Sequence, residues 1–191
     1  MLSHGTKNFA VEGFIMVSKE MESRIDQFIA DNRQNVLNDI AALVNIKSVS
    51  QACDNKEAPY GEGCRKVLDK ALDICSNMGF ATKNYDNYAG SAAYGNGEKE
   101  IALLGHLDVV PEGDGWSHDP YDMMEKDGYI YGRGVADDKG PTVLGLYALK
   151  CMKELNVHPN YTFRLVMGCS EETGMSDLPH YLAAEKMPVF A

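Results

Sequence analysis

Three short clusters carry the residue types of a hydrolytic metal centre: Gly105-His106-Leu107-Asp108, Asp137-Asp138-Lys139-Gly140 and Glu171-Glu172-Thr173-Gly174. His106 and Asp108 are two apart, so on an extended backbone both side chains point to one face. There an imidazole can bind a cation and a carboxylate can support it from behind. Asp137 and Asp138 lie in a glycine-rich stretch just before an apolar helical pattern. One aspartate is an ordinary helix N-cap, which leaves the other free to ligate. Glu171 and Glu172 follow a strand-like run, and two carboxylates near a sheet end are costly unless cations or protons compensate. Imidazole nitrogen with Asp and Glu oxygens is a donor set for zinc. Two such ions sharing a bridging carboxylate can acidify a water to a pKa of roughly 7 and turn it into a nucleophile. Each cluster alone also reads as plain structure: a hydrogen-bonded histidine, a helix cap, a solvated loop.

The elements that must position these residues follow from periodicity. From Ser18 to about Ile46 the apolar residues recur at helical spacing, with Asp31-Asn32 offering a break between two helices. Ser48 to Glu62 reads as a loop, and Cys64 to Met78 as a helix stopped by Gly79. Ala81–Asn84, Ala89–Tyr94 and Ile101–Leu104 read as strands, with Asn96-Gly97 as a hairpin signal between the last two. The continuous run Ile101-Ala-Leu-Leu is what a central strand covered on both faces would carry, and it leads directly to His106. A hairpin around Lys126-Asp127-Gly128, a helix from about Pro141 to Leu155 and a strand from Tyr161 to Met167 complete the pattern. Strands alternating with helices predict an α/β fold with a mixed central sheet flanked by helices.

Bulk properties bound the function. At 191 residues and 45% hydrophobic content the chain can bury one sizeable core. A net charge of −10 and a pI near 4.9 argue against nucleic acid and anionic membrane as partners, and favour small molecules or peptides. The five cysteines are irregularly spaced without CxxC pairs, and read as reduced thiols of a cytoplasmic protein. Phe14 to Val17 is too short for a signal peptide or a membrane span. Residues 1–17 read as a disordered leader, or as sequence ahead of a start at Met16, and 18–191 as the catalytic-domain portion. Trp116 is expected to pack locally, Arg133 to pair with a nearby acid, and His4, His118, His158 and His180 to face solvent.

At these clusters the chain resembles the dinuclear-zinc peptidase family of carnosinases, bacterial β-Ala-Xaa (Xaa-His) dipeptidases, acetylornithine deacetylases and succinyl-diaminopimelate desuccinylases. The resemblance spans about residues 20–191. It rests on Gly105-His-Leu-Asp-Val-Val-Pro, Gly113-Asp-Gly-Trp116, Tyr131-Gly-Arg-Gly-Val-Ala-Asp-Asp-Lys-Gly-Pro and Glu171-Glu-Thr-Gly, in family order. It implies that His106 ligates the first zinc, Asp137 bridges both and Glu172 ligates the second. Asp108 then orients His106, and Glu171 is the general base that takes a proton from the bridging water. A cis peptide at Asp137-Asp138 is implied where metal is bound. Asp137-Asp138-Lys139-Gly140-Pro141, Gly113-Asp-Gly-Trp, Ala58-Pro-Tyr-Gly-Glu-Gly and the Asn84–Gly90 run resemble the dipeptidase branch. Hydrolysis of dipeptides is therefore expected ahead of N-acyl amino acid deacylation, with an inactive binding module as the reading from another class.

The family pattern also needs a further acidic ligand, an inserted lid domain and a late histidine, which the chain does not contain. Asp177 is expected to cap a helix beginning near Leu178, and His180 is not a ligand. Met187-Pro-Val-Phe-Ala reads as a strand without a partner. The expectation is an N-terminal fragment of a longer zinc dipeptidase, with each ion short of the usual three protein ligands. Such a chain should bind zinc weakly and turn over little.

Overall fold

The computed structural model describes residues 18–191. The reading of residues 1–17 as a leader lies outside the described residues. The chain runs through α1 (Lys19–Val44), α2 (Glu62–Asn77), β1 (Ala81–Tyr85), β2 (Ala89–Tyr94), β3 (Glu100–His106), β4 (Met124–Lys126), β5 (Tyr129–Tyr131), α3 (Lys139–Glu154), β6 (Thr162–Gly168), a 3₁₀ turn (Glu171–Thr173) and α4 (Leu178–Ala184). The main sheet has the order β1-β2-β6-β3, and β4 pairs with β5 as a separate hairpin. Pairs β1/β2 and β2/β6 are antiparallel, whereas β3 and β6 are parallel. The expected mixed sheet flanked by helices is what forms.

Alternation along β6 divides the core. Leu165 and Met167 face α1, α2 and α3 in the larger cluster, while Val166 joins Tyr85, Ala102 and Tyr181 beneath α4. Parallel neighbours need a crossover, and α3 supplies it between β3 and β6. This topology places the carboxyl ends of β3 and β6 and the N-terminus of α3 at one edge of the molecule.

Four sequence expectations are corrected. Helix α1 does not break at Asp31-Asn32. The buried Asn32 amide donates to Phe28 O and accepts from Lys150 Nζ, so its polar atoms are satisfied within a continuous helix. Asn96-Gly97 is not a hairpin turn, because β6 lies between β2 and β3. A side chain at Gly97 would instead run into the Asn160 carbonyl. The tight turn lies one connection earlier, at Asp86 and Asn87, where φ is 51° and 66°, a conformation these two residues tolerate. Strand β3 is an edge strand, leaving Leu103 36% and Leu104 47% exposed. An apolar run cannot by itself tell a central strand from an edge. Finally, the strand-like Met187–Ala191 does have a partner: Val189 N donates to Glu100 O and Ala102 N to Phe190 O, both at 2.8 Å on the outer edge of β3.

Candidate metal centre

His106 is the last residue of β3 and pairs with Gly168, the last residue of β6. The parallel register therefore delivers His106 and the Glu171-Glu172 turn to the same sheet edge, where open α/β sheets bind ligands. The His106 side chain is 9% exposed. Its Nδ1 lies 3.0 Å from the Asp108 carbonyl and 3.4 Å from Asp108 Oδ1. That contact fixes the ring and turns Nε2 outward, 3.1 Å from Asp137 Oδ1 and 3.9 Å from Glu171 Oε2. Donor atoms of His106, Glu171 and Glu172 all lie within 4.8 Å of one another. Asp137, 75% exposed at the start of the α3 crossover, completes the group through its contact with His106.

Asp108 has a second task that sequence reasoning missed. Its carboxylate is fully buried and accepts from Glu171 N at 3.2 Å and Glu172 N at 3.1 Å. It thus holds the 3₁₀ turn that presents both glutamates. Asp138 sits at the N-cap position of α3 without making a side-chain cap. Its Oδ2 instead accepts from His106 N at 3.1 Å and Thr142 Oγ1 at 3.0 Å, clamping the end of β3 to α3. Of the adjacent aspartates, one is thereby engaged in structure and the other stands free beside the imidazole. The peptide between them is cis. Asp177 Oδ2 accepts from Cys169 N and Ser170 N, and its Oδ1 caps α4 at Leu178 N. It is a structural residue, as its spacing suggested.

The electrostatics fit a cation. Burial works against a charged His106, but the Asp108 and Asp137 carboxylates and the Asp108 carbonyl outweigh it and push the imidazole up to about 9. Burial and then the Asp137 carboxylate raise Glu172, which His106 partly offsets. Carboxylates this close repel one another unless positive charge is present, and nitrogen with carboxylate oxygens suits a divalent metal. Burial pushes the neighbouring Cys64 thiol up to about 12 and Cys169 well above its ordinary range. Neither is a thiolate at neutral pH, so a cysteine nucleophile is not what this edge offers. A cleft of about 320 Å³ opens beside His106 and Glu171, walled by Leu104, Val166 and Met175.

Residues 102–189 match the family described as peptidase family M20/M25/M40. YtjP of Bacillus subtilis (strain 168) is 38% identical over 157 residues, covering 82% of this chain and 34% of its own length. Over residues 102–189 the chain is similar to the M20/M25/M40 peptidases. The Beta-Ala-Xaa dipeptidase of Lactobacillus delbrueckii subsp. lactis is 36% identical over 171 residues, or 88% of this chain and 36% of the dipeptidase. The crystal structure of human carnosine dipeptidase 1 superposes with a TM-score of 0.71 at 22% identity, over 88% of the present chain and 38% of the human one. That likeness shows a shared fold. The chain spans about a third of the length of the curated relatives it matches.

Side residues divide. Trp116 packs locally, with Nε1 donating to the Glu112 carbonyl. Among the described residues Arg133 finds no acid; it donates to the Pro111 and Glu112 carbonyls and lies over the Trp116 ring. His118 meets Trp116 edge-on, and His180 stacks on Tyr88 with centroids 3.4 Å apart, so neither simply faces solvent. His158 is exposed, and His4 lies outside the described residues.

Proposed function

We propose that this chain provides the His106–Asp137–Glu171–Glu172 part of a zinc-dependent dipeptidase site. The observation that carries the reading is the convergence of His106 Nε2, the Asp137 carboxylate and the Glu171-Glu172 pair at the carboxyl ends of β3 and β6, with Asp108 buried behind them. Two zinc ions are the proposed cofactor: His106 on the first, Asp137 between them and Glu172 on the second. When bound, they would supply Lewis acidity toward the amide carbonyl and an acidified water.

The chain's own residues do the rest. Asp108 holds the His106 ring through Nδ1, which keeps Nε2 directed at the site. Glu171, 46% exposed on the cleft, is placed to accept a proton from an attacking water and return it to the leaving amine. The small cleft with apolar walls suits a substrate the size of a dipeptide. The names of the M20 relatives, Beta-Ala-Xaa dipeptidase and carnosine dipeptidase 1, support that substrate class. The five free cysteines support a reducing, cytoplasmic location.

The test combines metal analysis with a substrate panel. Zinc uptake, with β-alanyl dipeptide cleavage that is lost in Glu171→Gln while the metal is retained, supports the reading. Cleavage of N-acyl amino acids alone would transfer the site to deacylation. A folded chain that takes up no metal and cleaves neither class would leave a binding module.

A further inference from the structure

Lys139 is the first residue of α3 and directly follows the Asp137-Asp138 pair, yet its side chain is completely buried. A cation at a helix N-terminus opposes the helix dipole, so the position is unfavourable unless something elsewhere compensates. The compensation comes from α1. Lys139 Nζ donates to the Leu43 carbonyl at 2.9 Å and the Ile46 carbonyl at 2.8 Å, at a helix C-terminus whose last turn has no basic residue of its own. The stem of Lys139 passes beneath the glycine-rich loop. At Gly134, where φ is +90°, a Cβ would lie 3.0 Å from both Lys139 Cδ and Val109 Cγ1.

The chain leaving α1 continues the connection. Ser48 Oγ donates to the Leu107 carbonyl at 2.6 Å, and Val109 N donates to the Ser48 carbonyl at 3.0 Å. These two bonds bracket Asp108, whose carboxylate holds the Glu171 and Glu172 amides. An unbroken set of contacts thus runs from the Asp137 turn through Lys139 to the α1 exit, to Asp108 and to the glutamate pair.

We propose that Lys139 is a positioning residue, which sets the Asp137 turn against the His106–Asp108 segment by anchoring that turn to the Leu43 and Ile46 carbonyls at the exit of α1, from which Ser48 in turn holds Leu107 and Val109. This rests on the metal-site reading above. A purely structural lysine of the same kind is present for comparison: Lys153, also on α3, caps α2 by donating to the Met78 and Gly79 carbonyls, remote from the site.

The experiment compares the full chain with Lys139→Met and Lys153→Met, using amide hydrogen exchange without metal and titration with cobalt(II) alone. In Lys139→Met the Val109, Glu171 and Glu172 amides should exchange about tenfold faster relative to the β6 amides, and cobalt affinity should fall about tenfold. Lys153→Met should leave both quantities within twofold of the parent. The proposal is overturned if Lys139→Met accelerates all slow amides equally and keeps the parent affinity, as a lysine serving stability alone would. Should Lys139→Met not fold, Gly134→Ala, which presses on the Lys139 stem and Val109, is read by the same two criteria. If the parent itself takes up no cobalt, the metal-site reading fails, and the exchange pattern still decides the role of Lys139.

Discussion

The Asp108 carboxylate accepts two backbone amides with its two oxygens while the backbone carbonyl of the same residue steadies the His106 ring, so one residue serves both halves of the candidate site. Asp108→Asn keeps one acceptor but turns an NH₂ group toward an amide N–H. The variant should lose about 1–3 kcal/mol of stability in urea unfolding. Metal affinity should fall with it, because the glutamate turn loosens. An unchanged unfolding midpoint would show that the turn holds without this carboxylate. Away from the site, Glu112 illustrates a surface group whose titration is readable. The Lys47 ammonium at 2.6 Å, with the Tyr121 hydroxyl, lowers its carboxyl to about 2. A carboxyl depressed in the folded state contributes stability above its ordinary value of 4.5, and that contribution disappears as pH falls through about 2. Following the Glu112 carboxyl by NMR should find it ionised at pH 3.5. In Lys47→Met its midpoint should move up toward the ordinary carboxylate range.

Two elements meet at Gly105, where β3 passes α3 so closely that an added Cβ would press on Thr142 Oγ1 and on the Asp138 carboxylate. Gly105→Ala should therefore cost about 1–3 kcal/mol, by overpacking the clamp that holds the His106 amide. Calorimetry measures it, and a neutral result would mean that α3 can shift without strain. Legibility in the sequence follows the range of the interactions. The strand ends carrying His106 and Glu171 could be read because each cluster directly follows its own apolar run, and the Gly79 helix stop and the Lys126–Gly128 hairpin are equally local. The pairing of β3 with β6 was not legible, since Asn96-Gly97 carries a hairpin's residue types while the partner of β3 arrives only after α3. The Asp108 grip on Glu171 and Glu172 spans more than sixty positions, and no spacing rule reports such a bond. Lys139 was hidden for a related reason. A lysine opening a helix looks like a solvated charge until α1 supplies the carbonyls that accept from it.

For the molecule as a whole, the outer edge of β3 is incompletely protected. The backbone bonds that Glu100 and Ala102 make to Val189 and Phe190 cover only the start of the strand, and beyond them Leu103 and Leu104 are partly exposed. Unpaired edge backbone flanked by apolar side chains is a template for pairing between chains. The opposing influence is the net charge of −10, which keeps copies apart as long as their fields are unscreened. The Debye length falls from about 10 Å at 0.1 M salt to about 3 Å at 1 M, so raising salt removes the repulsion while leaving the apolar edge intact. The chain should stay monodisperse in light scattering at low ionic strength and associate progressively toward 1 M salt. Leu104→Lys, which places a charge on that edge, should abolish the salt-driven association. Ser23→Lys, the same change of one positive charge at an exposed position of α1, should not. If both variants suppressed association equally, the effect would not be specific to the β3 edge, and that edge would not be the contact.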